Sequence, residues 1–249
     1  MIKGKNFLQF EGLNAYSEIG HLFTLKPFNF RAGMVGVEEV RKEYKRIQQI
    51  LAMNSIKFIK PSQAHTNCVK CVMADTLNEN LENVDGLITD MKGVALVTSL
   101  ADCQGILLYD SKKKVIGNIH SGWRGTIGCI VENAVHLMED NYHCEARDIE
   151  AYICPSILKC CFEVEEDVKE EFVHTFSDLG IEKDILKKRD GKYLIDTVSI
   201  NRKILIKLGV LPENIVTSDI CTKCHGDIMH SYRVDKENSG RNIAVIVLR

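Results

Sequence analysis

The chain has 249 residues, 45% of them hydrophobic, which is enough to bury a sizeable core and sits at the upper end of what one domain holds. Its 32 Lys and Arg are balanced by 34 Asp and Glu, and a net charge of −2 excludes broad electrostatic attraction to nucleic acid or to an anionic membrane. The N-terminal "MIKGKNFLQFEG" lacks the apolar core of a signal peptide, and no later apolar run approaches the roughly 18 residues that span a bilayer. A soluble, cytoplasmic protein is expected, so its ten cysteines read as reduced thiols, each serving as core, ligand or nucleophile.

In chain order, Val37, Val40, Tyr44, Ile47 and Leu51 recur every three or four residues among Lys, Arg, Glu and Gln, which predicts an amphipathic helix from Val37 to Met53. A short strand, "IKFIK", leads into "PSQAH". The runs "GVALVTSLADC", "GILLYD" and "VIGNIH" predict three neighbouring strands, with "DSKKK" as the turn between the last two. After "SGWRG", the apolar spacing from Ile127 to Met138 predicts a helix. A strand "IEAYIC" and a charged helix from about Glu163 to Leu179 follow. A last helix over Val198 to Leu208 is expected to stop at Gly209 in a left-handed C-cap, and "IMHSYRV" and "NIAVIVLR" read as two closing strands around a turn containing "ENSG". With no repeat, no low-complexity segment and no Pro/Gly/Ser linker, the reading is a single α+β domain over residues 1–249, with mixed sheets flanked by helices.

Three segments place a borderline or soft metal ligand at a strand end or in the loop after it: His65 in "QAHTN", Cys103 in "SLADCQG" and His120 in "NIHSGWRG". Zinc takes imidazole nitrogen and thiolate sulfur in tetrahedral geometry, and catalytic sites hold it by three protein ligands and leave the fourth position open. Two histidines and one cysteine match that stoichiometry. The separation of 17 positions from Cys103 to His120 suits two strand ends joined across a hairpin but leaves His65 unconstrained, so ordinary hydrogen-bonded histidines remain the alternative at this level.

The segments "PSQAH", "DGLITD…GVALVTSLADC", "VIGNIHSGWRGT", "ICPSILKCCFEV", "ICTKC" and "HSYRVD…SGRNIAVI" together resemble the laccase-domain family, the YfiH/YlmD-type proteins also called multicopper polyphenol oxidases, over about Pro61 to Leu248. The resemblance implies a YfiH-like fold, a zinc site at His65, Cys103 and His120, and purine nucleoside phosphorylase activity on adenosine, inosine, guanosine and methylthioadenosine, with adenosine deaminase activity. The partners it implies are a purine nucleoside and phosphate. On that reading Arg124, Arg233 and Arg241 are candidate phosphate seats, because guanidinium forks bind phosphate oxygens bidentately. Asp102, beside the Cys ligand, is a candidate to orient a ligand histidine or accept a proton. With Cys103 and Arg124 it completes the expected catalytic set. Trp123 is a candidate stacking surface for a purine or a packing residue. The glycines of "SGWRGT" allow close backbone approach, and the helix after them could offer amides to an anion. Departures from the family pattern at Lys26, at "ADCQG", where Gly105 stands in place of the usual Pro, and at His230 are expected to alter substrate preference or the pocket wall.

Rival readings remain. The ligand set also accepts copper, as a polyphenol oxidase would require, although a multicopper site needs more than three histidines, and His21, His136, His143 and His174 lie outside ligand-like motifs. Cys103 with His120 would make the nucleophile pair of a thiol hydrolase. A non-enzymatic zinc protein would instead show a closed four-ligand site. The CxxC pairs Cys68/Cys71 and Cys221/Cys224 would form a four-cysteine site if the fold joined them, although they lie 153 residues apart. Cys154, Cys160 and Cys161 read as small, polarizable core packing.

Overall fold

The computed structural model describes residues 1–249. Two six-stranded mixed sheets form its centre. The first runs Ile2–Lys3, Phe7–Gln9, Ile19–Thr24, Asn242–Leu248, Val94–Leu100, Lys57–Ile59. The second runs Ile215–Thr217, Ile149–Ile153, Gln104–Asp110, Val115–Ser121, Gly86–Thr89, Val69–Cys71. Only three pairs are parallel, each joining an edge strand to its neighbour. A small antiparallel sheet of Glu163–Val164, Tyr193–Ile195 and Ile185–Lys187 stands beside them.

Strand periodicity builds the layers. Successive side chains point to opposite faces, so a strand that is apolar at every position must be covered on both. Along Val94–Leu100, Leu96 and Leu100 meet Leu107, Tyr109 and Ile116 of the second sheet, while Ala95 and Val97 face Ile47 and Leu51. Along Gln104–Asp110, Ile106 and Leu108 face the opposite way, toward Val131, Val135 and Leu205. The result is helix Val37–Ile50, sheet, sheet, then helices Ile130–Tyr142 and Thr197–Lys207. Asn118 ties the sheets through the middle layer: its Nδ2 donates to the carbonyls of Leu96 and Ala244 at 2.8 and 2.9 Å, and its Oδ1 accepts from Thr98 Oγ1 at 2.8 Å.

The α+β class and most expected elements are present, with instructive differences. The three central strands do not share one sheet: "VALVTSL" pairs with Asn242–Leu248, while Gln104–Asp110 and Val115–Ser121 form the hairpin of the other sheet. The chain changes sheets at Ala101–Cys103, with Asp102 at φ 84°. The expected helix after "SGWRG" is two helices, Trp123–Ile127 and Ile130–Tyr142, broken by Cys129 in the left-handed region. The charged helix begins at Glu166, after a short strand. The "IMHSYRV" segment is a turn and a one-turn helix, Tyr232–Asp235, whose cap Ser231 accepts from Val234 N, so Asn242–Leu248 closes the sheet without it. Gly209, at φ 101°, ends the helix Thr197–Lys207 as expected.

Candidate active site

The three predicted ligands converge. One donor atom each of His65, Cys103 and His120 lies within 4.8 Å of the other two. His65 Nε2 stands 3.8 Å from Cys103 Sγ, and the two imidazoles meet edge to face with centroids 4.9 Å apart. Each residue arrives by a different route. Cys103 sits where the chain crosses between sheets, and His120 is near the end of its strand, directly opposite Gly105. His65 lies in a loop with its own backbone in the left-handed region, at φ 61°. Gln63 fixes that loop, its side-chain amide donating to the Ser99 carbonyl and accepting from Ser99 N.

The residue that assembles the site is Asp85, fully buried and absent from the sequence reading. Its Oδ1 accepts from His65 N and, at 2.7 Å, from His120 Nδ1. Its Oδ2 accepts from Ala64 N, Thr66 N and Thr66 Oγ1. Burial opposes its ionisation, but hydrogen bonds from His120 and Thr66 prevail and hold the carboxyl well below the usual carboxylate range. A carboxylate on Nδ1 keeps that proton in place and directs Nε2 at the ligand cluster, the usual second support of a metal-bound histidine. "VDG" carries no local signal for this role, because the contact spans 35 residues.

Burial alone would raise the Cys103 thiol, yet the charge and hydrogen bond of His120, with a further hydrogen bond from His65, lower it to about 6. Burial likewise works against a charged His120, and the Cys103 thiolate and Asp85 raise it to about 9. Each shift favours the charged form of the other residue, thiolate with imidazolium, in the metal-free protein. A divalent cation held here would take the place of the imidazolium proton and find the thiolate form already favoured. Zinc–sulfur and zinc–nitrogen bonds of about 2.3 and 2.0 Å need ligand atoms roughly 3.5 Å apart, so the observed spacing fits such an ion. Gly122 leaves the space: a Cβ there would stand 2.9 Å from His65 Cδ2 and 3.2 Å from Cys103 Sγ.

The cluster opens into a cavity of about 770 Å3. Four cations line it, Lys60, Arg124, Arg233 and Arg241, against one carboxylate, Asp102. Lys60 was not singled out from sequence. Burial and the neighbouring Arg241 charge lower its pKa, as expected where cations crowd one space. Asp102 does not orient a histidine. Its oxygens accept from Thr222 Oγ1 and Arg233 N, both at 2.7 Å, so the orienting role expected of it belongs to Asp85 and Asp102 instead positions the Arg233 loop. The Arg233 guanidinium lies 5.5 Å above Phe162, and that of Arg124 covers Trp123 at 4.1 Å. The helix after "SGWRG" is only five residues long.

Gln104 is a buried part of the wall, bonded to Thr197 Oγ1 and Asn201 Nδ2. His230 and Lys26 do not line the cavity. His230 Nε2 donates to the Phe28 carbonyl at 2.9 Å, and Lys26 Nζ donates to the Gly226 carbonyl. The effect expected of them on the pocket wall is therefore not a direct one.

The cysteines pair differently from the rival arrangement that would join the two CxxC pairs. Cys221 and Cys224 meet Cys160 and Cys161, while Cys68 and Cys71 lie elsewhere. Cys154 is buried as expected, but Cys160 is exposed and Cys161 half-buried, so neither is plain core packing.

A family model described as multi-copper polyphenol oxidoreductase laccase matches residues 35–249. The chain belongs to this family. A purine nucleoside phosphorylase of Bacteroides thetaiotaomicron is 31% identical, over 99% of this chain and 97% of its own. An adenosine deaminase, RL5, from an unknown prokaryotic organism is 31% identical over 96% of this chain and 90% of its own. Among solved structures, Bacillus licheniformis YfiH superposes with a TM-score of 0.87 at 25% identity, covering 99% of this chain and 97% of that one. Geobacillus stearothermophilus YlmD gives 0.86 at 26%, covering 100% and 98%. The fold is that of these proteins, and no helix is long and apolar enough to cross a membrane.

Proposed function

We propose that this protein is a metal-dependent purine nucleoside phosphorylase with adenosine deaminase activity at the same centre, that His65, Cys103 and His120 hold one zinc ion there, and that residues 1–249 act as one domain. The observation that carries the reading is the open three-ligand cluster, set by buried Asp85, at the foot of a cavity walled by four cations. The names of the related proteins point the same way. When bound, zinc supplies Lewis acidity toward an oxygen of phosphate or of water.

The chain's own residues supply the rest. Arg233 and Arg241, with Lys60 beside them, draw phosphate into the cavity and offset its charge as an oxygen attacks C1′ of the ribose and the C1′–N9 electron pair leaves with the purine. Asp102 fixes the backbone from which Arg233 projects. A base resting near Trp123 meets an indole already stacked under Arg124. In deamination, water replaces phosphate as nucleophile, attacks C6 of adenine, and ammonia departs. A cytoplasmic location accords with ten free cysteines.

The test is turnover of adenosine, inosine and methylthioadenosine by metal-replete protein with and without phosphate, reading free base, ribose 1-phosphate and ammonia. Phosphate-dependent base release supports the proposal. Absence of both base and ammonia from every substrate refutes it. The thiolate–imidazolium pair of Cys103 and His120 favours a thiol hydrolase as the second reading, which predicts activity that survives chelation.

A further inference from the structure

Outside the cavity lining, four thiols from two distant segments come together. Cys160 and Cys161 follow the strand Ile149–Ile153, and Cys221 and Cys224 follow the strand Ile215–Thr217. Their four Sγ atoms all lie within 4.8 Å of one another. Cys224 Sγ stands 3.8 Å from Cys160 Sγ and 3.5 Å from Cys161 Sγ. A disulfide would hold its sulfurs about 2.05 Å apart. Four sulfurs around zinc at about 2.3 Å stand roughly 3.8 Å from each other along the tetrahedral edges. The observed spacing is the second kind.

Two further features match a thiolate site rather than four packed thiols. The sulfur of Cys221 receives backbone N–H groups, from Leu158 at 3.5 Å and from Cys224, which stabilise negative charge on sulfur. Cys160 and Cys224 are exposed, whereas free cysteines that only pack are among the most buried residues.

We propose that Cys160, Cys161, Cys221 and Cys224 form a second, structural metal site, a closed tetrathiolate that takes zinc. Four thiol protons are released to solvent as the ion binds, and the chain supplies all four ligands, which leaves no position for substrate. The site joins the two segments that shape the cavity. Ser156 bridges to Cys221, Thr222 N donates to the Ser156 carbonyl, and Thr222 Oγ1 holds Asp102 next to Cys103. The strand bridge alone spans a single residue pair. The thiolate clamp therefore holds Ile157 and Phe162 against the Thr222–Arg233 stretch. The expectation of one metal ion per chain becomes two, in sites of different chemistry.

The experiment is metal counting with cobalt as a spectroscopic probe. Wild-type protein, the double variant Cys160→Ser/Cys224→Ser, the conservative variant Cys224→His and, separately, His120→Ala are stripped and reloaded with zinc or cobalt. Wild type should hold two equivalents, and its sulfur-to-cobalt absorption should reflect five thiolates, four here and one from Cys103. The double variant should hold one equivalent and lose about four-fifths of that absorption, in proportion to the thiolates removed. Cys224→His should keep two equivalents with one thiolate fewer. His120→Ala should lose the other ion and keep the tetrathiolate spectrum.

Wild-type cobalt absorption from a single thiolate would overturn this proposal while leaving the three-ligand centre intact. A peptide map of protein isolated without reductant that shows Cys224 disulfide-linked to Cys160 or Cys161, with one metal equivalent, would overturn it equally. Loss of no metal in His120→Ala would instead count against the proposed catalytic centre. If the double variant does not fold, titration of wild type with a mercurial reagent gives the same answer. One zinc should be released as four thiols react, and release without thiol consumption refutes the site.

Discussion

Replacing Asp85 by Asn removes one charged oxygen from the centre of the site and leaves its shape nearly unchanged. Asp85 Oδ2 accepts three donors and Oδ1 accepts two, and the side chain is fully buried. An amide nitrogen in either place leaves two or three of those donors facing another donor. Each orphaned buried donor costs ~1 kcal/mol or more, so the loss is about 3 kcal/mol. For a chain of this size that corresponds to a fall of ~6–12 °C in melting temperature. If the amide nitrogen faces His120, the imidazole proton moves to Nε2 and points at the ligand cluster, so zinc affinity should fall ~10–100-fold. The carboxyl of folded wild type lies below its ordinary value, so its contribution is fully present above about pH 4 and is lost as the pH falls further through the folded-state value. The Asp85→Asn variant should lack that acid-limb slope. Thermal unfolding of metal-free protein and competitive zinc titration with a chromogenic chelator measure the two effects. Unchanged melting temperature and unchanged zinc affinity together would refute the reasoning that Asp85 organises the site.

Three other outcomes follow from the same geometry. Gly122→Ala places a methyl group against His65 and Cys103 and should weaken zinc binding ~10-fold or more while secondary structure by circular dichroism stays intact. Replacing Arg233 or Arg241 by Ala should raise the KM for phosphate more than that for nucleoside, and an unchanged phosphate dependence in both variants would place the anion elsewhere. In metal-stripped protein, iodoacetamide labelling of Cys103 should rise through about pH 6, because the thiolate pairs with His120, and bound zinc should suppress it. Equal labelling with and without metal, with turnover preserved after stripping, would favour the thiol hydrolase.

What the sequence determined by itself is local. Period-3.6 apolar spacing located the helix Val37–Ile50, and unbroken apolar runs located the strands Gln104–Asp110 and Val115–Ser121, because backbone periodicity is written in neighbouring residues. His65, Cys103 and His120 stood out for a different reason: their residue types and spacing left ordinary histidines as the alternative, and the resemblance of their segments to the laccase-domain family marked them as a ligand set. Tertiary structure decided what depends on contacts between distant segments. An apolar strand does not say which sheet it joins, so the placement of Val94–Leu100 apart from its successors, and with it the crossover that presents Cys103, came only from packing. "IMHSYRV" has strand-like composition, but its cap at Ser231 and the Asp102 carboxylate on Arg233 N fold it as a turn and a short helix. Asp85 looks like any turn aspartate until the fold buries it against His120 and three residues of the His65 loop. The cysteines show the same division: the spacing of Cys221 and Cys224 was visible, but their partners, some 60 residues upstream, follow from two strand ends lying side by side, and no local pattern encodes that adjacency.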